Sequence, residues 1–150
     1  MADAVTIKLK GFRELGERMK SLSQDMNLKI ARAATGAAAN VIKKRAVRKA
    51  PVAAEDYVVE GLKVQRGNLP KNIIAKRVKP SETELTSEHI VTVRGKRKNG
   101  YASRIGALQE YGTVKMQAQP FMRPALDEGG PEAIEAMRKR IEARLKKAGA

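Results

Sequence analysis

The chain contains no cysteine, no tryptophan and a single histidine among its 150 residues. Without cysteine it can form no disulfide, no thiolate metal site and no cysteine nucleophile. His89 has no second imidazole with which to share a metal ion, and no glycine-rich phosphate loop follows a predicted strand. We therefore expect no catalytic, cofactor-binding or metal-binding residues, and a protein that is not an enzyme.

Aromatic residues and long apolar runs are also scarce. Aromatic residues make up 3% of the sequence, so aliphatic side chains must fill the core and few rings are left to stack on nucleic-acid bases. No apolar run approaches the roughly 20 residues that span a bilayer, and the first residues lack the apolar core of a signal peptide. We expect a soluble protein used in a cytoplasm, with one domain over residues 1–150.

Positive charge is abundant, and its distribution is uneven. The net charge is +15, of which residues 1–50 carry +8. Such a field attracts polyanions, although a solvated surface or an acidic protein partner would explain it equally well. Because the stacking rings and base-reading motifs are missing, we expect contact with polyanions that does not depend on sequence. The candidates lie in two clusters, Lys43, Lys44, Arg45, Arg48 and Lys49, and Lys96, Arg97 and Lys98.

Periodicity predicts the elements of the first half. Residues 5–10 alternate apolar and polar side chains, which predicts a half-buried strand. Apolar residues at helical spacing predict a short amphipathic helix over 12–22 and a long helix over 26–49, with Ser23 and Asp25 as candidate caps between them. The small residues at 33–39 indicate close packing, either on the protein's own sheet or between subunits.

The second half predicts a loop, a hairpin and two helices. Residues 51–71 carry several prolines and glycines and are predicted to form a long, mobile loop with a brief strand or turn at 58–64. Strands over 72–79 and 89–93 form a hairpin with a turn at 80–84. Residues 101–110 form either a short helix or an extended segment, and we favour the helix. Pro131 is typical of the first turn of a helix, which predicts that the C-terminal helix starts there.

The most distinctive segment is Gln109-Glu110-Tyr111-Gly112-Thr113, followed by Ala118-Gln119-Pro120-Phe121-Met122-Arg123-Pro124-Ala125. Gly112 can adopt backbone conformations that other residues resist, and the two prolines fix φ on either side of an apolar Phe-Met pair. Glu110 could act as a general base, but we favour a charge that locks the following turn. Phe121 and Met122 form an apolar knob that docks either on another subunit or in the protein's own core.

This order of residues resembles the signature of the tail-completion, or head–tail joining, proteins of long-tailed double-stranded DNA phages. The resemblance is close over residues 101–126 and looser over most of the chain. It implies a structural virion protein of the phage neck that forms a homo-oligomeric ring, a hexamer by preference. The implied neighbours are the tail-tube or tail-terminator protein and the head-side connector proteins, with assembly in the host bacterial cytoplasm and no membrane.

We therefore predict an α+β fold, in which a small antiparallel or mixed β-sheet packs against a long central helix and a C-terminal helix. The predicted function is to complete the tail and join it to the DNA-filled head; the alternative is a non-specific double-stranded DNA-binding protein. No cofactor is expected. The predicted contacts with a subunit or neighbour are made by Glu110, Tyr111, Gly112, Thr113, Pro120, Phe121, Met122, Arg123 and Pro124.

Overall fold

A computed structural model describes residues 12–20, 22–79, 86–96, 98 and 101–149. The predicted strand at residues 5–10 and the turn at 80–84 lie outside the described residues. The elements, in chain order, are five helices and four strands within the described part of the chain. They are α1 (Phe12–Lys20), α2 (Gln24–Lys49), β1 (Tyr57–Val59), β2 (Leu62–Val64), α3 (Asn68–Lys71), β3 (Ile73–Val78), β4 (Glu88–Val93), α4 (Ala102–Tyr111) and α5 (Met122–Ala148).

The α+β class is confirmed, and α2 and α5 are its two long helices. Ser23 caps α2 by accepting a hydrogen bond from the Met26 amide at 3.4 Å, as its side chain predicted. Helices α2 and α5 run antiparallel, since Lys49 pairs with Glu128 near one end while Ile30 packs in one cluster with Leu145 near the other. A Cβ added at Gly129 would lie 2.9 Å from Ile42 Cδ1, which shows how closely the two helices approach.

The strands form two separate two-stranded antiparallel sheets rather than one sheet. The predicted hairpin is β3–β4, in which Ile73 lies opposite Val93 and Val78 opposite Glu88. The segment predicted as a loop at 51–71 holds the β1–β2 hairpin and the single helical turn α3. Glu60 and Gly61, both with positive φ, make the tight turn between β1 and β2.

Two apolar clusters form the described core. The first, called here the Phe121 cluster, joins the C-terminal end of α2 to α3, β3 and the start of α5; its buried members are Ala46, Ala50, Leu69, Ile73, Phe121 and Ala125. The second, the Leu15 cluster, joins α1 to the other end of the α2–α5 pair through Leu15, Ile30, Ala34, Ile141 and Leu145. Among the small residues of α2, Ala34 packs in the Leu15 cluster with residues of α5, and Gly36 faces His89 of β4.

The predicted start of the C-terminal helix was wrong. Helix α5 begins at Met122, and Pro131 lies inside it. An interior proline removes one helical hydrogen bond and crowds the carbonyl four residues earlier. The helix continues because it is packed on both sides of this proline, through the buried residues Gly129 and Ala133. Its true start is fixed by the side chain of Glu110 in α4.

Candidate functional site

The carboxylate of Glu110, in the last turn of α4, caps the first turn of α5. It accepts hydrogen bonds from the backbone amides of Phe121 at 2.7 Å, Met122 at 2.9 Å and Arg123 at 3.0 Å. The first amides of a helix have no partner within it, and the helix dipole favours a negative charge there. Glu110 is only 5% exposed, so water does not replace these bonds easily. The prediction that its charge locks the following turn is confirmed by this geometry.

The same contacts hold Glu110 in its ionised form. Burial by itself raises the pKa of a carboxyl group, but three backbone amide donors and the Arg123 side chain outweigh it. The pKa of Glu110 therefore lies below its ordinary value. A carboxylate that stays ionised is a fixed structural charge, and a poor acceptor of a proton near neutral pH.

Arg123 ties this cap to the protein surface. Its Nε lies 3.2 Å from Glu110 Oε1, and its guanidinium also donates to the Glu110 carbonyl at 3.3 Å. The guanidinium stacks over the Tyr111 ring, 5.4 Å from the ring centroid. Such a cation–π contact contributes about 0.5–1 kcal/mol at an exposed site. The Tyr111 ring is thus held in place although it is 74% exposed.

Gly112 turns the chain away from α4 in a conformation that suits glycine alone. Its φ is +74° and its ψ is −176°, a region that side chains essentially exclude. A Cβ here would also lie 2.8 Å from the Ala118 nitrogen and 2.9 Å from the Met116 oxygen. The segment around Met116 and Ala118 therefore passes directly against Gly112. The Gln119 amide closes the loop by donating to the Gln109 carbonyl at 2.7 Å.

We expect Gly112→Ala to lower the free energy of unfolding by up to about 3 kcal/mol, because strain and backbone overlap act together. Gly61→Ala is the matched control, since Gly61 also has a positive φ but no atom within 4 Å of its added Cβ. Left-handed strain alone should lower stability there by about 1 kcal/mol. Urea unfolding of both variants measures the difference in unfolding free energy. Equal losses of stability would show that the backbone around Gly112 shifts to relieve the overlap without further destabilisation.

The tip of this loop is a tight turn that exposes apolar side chains. Thr113 and Met116 exchange backbone hydrogen bonds of 2.8 and 3.3 Å, which places Val114 and Lys115 at the tip. Val114 is fully exposed, and Tyr111 and Leu108 in the last two turns of α4 are exposed as well. We call residues 108–116 the α4–α5 turn. The sequence pattern did not single out Val114 or Leu108; an apolar β-branched residue between Thr113 and Lys115 was the available signal.

The prolines and the Phe-Met pair lie on the inner side of this segment. Phe121 is 1% exposed in the Phe121 cluster, and Met122 is half-buried against it. The apolar knob therefore lies in the protein's own core, which is one of the two alternatives that the sequence left open. Pro124 lies in the first turn of α5. Amide hydrogens in a first turn have no acceptor within the helix, so a proline there removes no helical hydrogen bond. Tyr111, Thr113, Pro120 and Arg123 are the predicted contact residues that remain exposed.

The first basic cluster divides into paired and unpaired cations. Arg45 pairs with Glu132 at 2.7 Å and Lys49 with Glu128 at 2.7 Å, which joins α2 to α5. Lys43, Lys44 and Arg48 form no ion pair within the described part of the chain, and Lys44 and Arg48 are exposed. In the second cluster Lys96 and Lys98 are exposed, while Arg97 lies outside the described residues.

The described residues offer no metal site and no membrane span. Nowhere among them do three His, Asp or Glu side chains come close enough to hold an ion. None of the described helices is both long enough and apolar enough to cross a bilayer. His89 contacts Thr35, with Nδ1 2.9 Å from the hydroxyl oxygen, and that hydroxyl lies 3.0 Å from Ser87 Oγ.

The comparison with protein families agrees with the resemblance in the sequence. Residues 13–112, which are 100 of the 150 residues, match the HK97-gp10-like family model, described as "Bacteriophage HK97-gp10, putative tail-component". The chain belongs to this family. The match runs from α1 to the Gly112 that ends α4, and so includes Glu110 and Tyr111 but not the Pro-Phe-Met-Arg-Pro segment. No curated protein and no solved structure matches the chain.

Membership in a family of phage tail components makes this a structural tail protein. A tail component is part of the virion, and it contacts other tail or head proteins. The α4–α5 turn, whose ends are held by Glu110 and Gly112, is part of the exposed surface of the described chain.

Proposed function

We propose that this HK97-gp10-like protein is a neck subunit, which forms a ring that completes the phage tail and joins it to the DNA-filled head. The observation that carries the proposal is the Glu110 cap, because it fixes a turn that exposes Val114 and Tyr111. A rigid surface loses little conformational entropy on docking. Exposed apolar side chains on a rigid loop are typical of a protein contact. The resemblance to tail-completion proteins supports the position in the neck, and a hexamer follows from the sixfold tails of such phages.

The α4–α5 turn supplies the subunit contact in this proposal. A ring needs a heterologous contact, in which one patch of each subunit meets a different patch of the next. The exposed residues of the turn are one such patch: Leu108 and Tyr111 are neighbours on one face of α4, and Val114 is exposed at the tip that follows. The buried Phe121 supports the turn from inside and does not itself reach the neighbour.

Val114→Asp should prevent ring formation while leaving the subunit folded. The side chain is fully exposed, so the change should alter the free energy of unfolding by no more than about 0.5 kcal/mol. In a subunit contact, however, it buries an unpaired charge. Light scattering of the purified protein measures the ring, and complementation of a phage that lacks this protein measures the joining of heads to tails.

Val58→Asp is the matched control for that experiment. Val58 is 69% exposed in β1, outside the α4–α5 turn, and the substitution changes charge and size in the same way. It should leave ring formation and infectivity unchanged. Normal rings and joined particles with Val114→Asp would rule out the turn as the contact, and a protein that forms no rings at all would count against the neck proposal itself.

Non-specific contact with duplex DNA is a second candidate function, and the unpaired cations of the first cluster favour it. Lys43, Lys44 and Arg48 lie within two turns of α2 and are not neutralised by described acidic residues. In a neck ring they would face the DNA passage; in a free protein they would coat duplex DNA. Either contact releases counterions, so binding should weaken steeply as salt rises and vary little between sequences.

Replacing Lys43, Lys44 and Arg48 by glutamine should make the affinity for DNA less dependent on salt. The slope of log affinity against log salt concentration should decrease by up to about 0.9 for each phosphate contact that is lost. The control neutralises Arg144, Lys146 and Lys147, which are exposed at the end of α5 and change the net charge by the same amount. Titration of fluorescent duplexes at several salt concentrations gives both slopes. Equal slopes would mean that net charge, and not this cluster, attracts DNA.

A further inference from the structure

A long apolar groove lies between α2, β4 and α5. Its volume is about 590 Å³. Leu126 is 56% exposed on its wall although it is apolar. The polar side chains of Thr35 and His89, at one end, are hydrogen-bonded to each other. The groove therefore offers apolar surface that a protein contact would cover. The apolar side chains of its walls include Ala38, Ile42, Val91, Leu126, Ile134 and Met137.

A ring built through the α4–α5 turn needs a second, different patch on each subunit to receive that turn. Outside the turn and the groove, the large apolar residues that are exposed in the described chain lie on four separate segments. Single exposed apolar residues are ordinary on a protein surface. The groove, in contrast, is a continuous apolar surface. The scattered residues are Met26, Val52, Val58 and Ile90.

The free charges of the turn and of the groove are opposite. The α4–α5 turn holds two charged residues, of which Glu110 is buried as the cap and Lys115 is exposed at the tip beside Val114. The charged residues that line the groove are Glu88 and Arg123, and Arg123 is bound to Glu110. Within the described part of the chain neither Lys115 nor Glu88 forms an ion pair, and both are exposed. Complementary charges of this kind fix the orientation of a contact.

The turn and the acidic end of the groove lie far apart on one subunit. The Tyr111 ring stacks with Arg123, which lines the groove beside Met122. Glu88 lies at the other end with Met137, because the residue after it is hydrogen-bonded to α2 beside the Leu15 cluster. From Met122 to Met137 is 15 residues of helix, or about 22 Å. None of the described residues that line the groove belongs to the turn, so the turn is available to the groove of another copy.

We infer that the groove between α2, β4 and α5 receives the α4–α5 turn of the next subunit, with Val114 against its apolar walls and Lys115 paired with Glu88. The inference rests on the proposed ring and names the second patch that such a ring needs. Each contact uses the turn of one copy and the groove of another. Copies therefore add head to tail until the circle closes.

Reversal of the two charges tests the pairing. Lys115→Glu and Glu88→Lys should each raise the protein concentration at which rings form by about tenfold or more, because each places like charges in the contact. Both changes in one chain should restore the rings. A 1:1 mixture of the two single variants should restore them as well, because each turn then meets an opposite charge when the variants alternate. Light scattering measures ring formation.

Lys115→Glu combined with Glu14→Lys is the matched control, since Glu14 is exposed in α1 and the net charge is the same as in the rescuing pair. This combination should not restore the rings. Rings that survive both single reversals, or that Glu14→Lys restores equally well, would overturn the inference and leave the neck proposal standing. A wild-type protein that forms no rings would count against the neck proposal, on which this inference rests.

A pair of cysteines then tests the direction of the contact. The protein has no cysteine of its own, so Val114→Cys combined with Met137→Cys supplies one thiol on the turn and one in the groove. With a short bismaleimide the rings should give a ladder of linked chains on a denaturing gel. Val58→Cys combined with Met137→Cys should give no ladder. Linked dimers alone would show a reciprocal contact between two copies, and linked monomers a contact within one chain; either would contradict the proposed site.

Discussion

Phe121→Ala should lower the free energy of unfolding by about 3–5 kcal/mol, the range for removing a fully buried aromatic ring from a core. The ring is 1% exposed and is one of the largest fully buried side chains in the described structure. It packs where the end of α2, the helical turn α3 and the first turn of α5 meet. These are backbone segments that cannot all move inward, so a cavity should remain after the ring is removed.

Phe12→Ala provides the matched control, since the chain has only two phenylalanines. Phe12 is half-buried at the edge of the Leu15 cluster, so the same chemical change should have a clearly smaller effect. Urea unfolding followed by circular dichroism measures both variants. A folded Phe121→Ala protein of unchanged stability that fails to form rings would show that Phe121 acts in a subunit contact instead.

Glu110→Ala should have the second largest effect, a decrease of about 3–4 kcal/mol in the free energy of unfolding. Hydrogen bonds to a charged group contribute about 1.5–3 kcal/mol each, and water can replace those to Met122 and Arg123 in part. The Phe121 amide is buried and would be left without an acceptor. Glu110→Gln is the sharper variant, because it keeps the shape and removes the charge. It should retain part of the stability but weaken the attraction to the helix dipole and to Arg123.

The pH dependence of stability gives a second measure of Glu110. Its pKa is lower in the folded chain than its ordinary value of about 4.3. A carboxyl group of this kind contributes stability above its unfolded pKa, and the contribution is lost as pH falls through the folded pKa. The free energy of unfolding, measured between neutral pH and about pH 3, should therefore fall less steeply in Glu110→Gln than in the wild type. If the unfolding free energies of the two proteins change with pH in parallel, the amide donors do not stabilise the ionised form of Glu110.

The sequence predicted the helices and strands well where local pattern alone decides them. Helix α2, its cap at Ser23, the β3–β4 hairpin and α4 all lie close to the predicted positions. These elements depend on periodicity and capping, which act over a few residues. The same local reasoning identified Glu110 as a charge that fixes the turn after it.

The start of α5 was not predictable in this way, because its determinant is remote. Pro131 resembles a helix start, but the cap comes from a carboxylate 11 to 13 residues before the amides that it binds. No local pattern reports such a contact. The exposure of Val114 and the burial of Phe121 were likewise undecided, because alternation cannot tell which side of a turn meets the core.

Cryo-electron microscopy of intact phage particles tests the central claim most directly. The account predicts a closed ring of this protein between the tail and the DNA-filled head, in which Val114 and Tyr111 of each subunit are buried against the next subunit. A protein located elsewhere in the particle, or a ring in which the α4–α5 turns face solvent on every subunit, would contradict it.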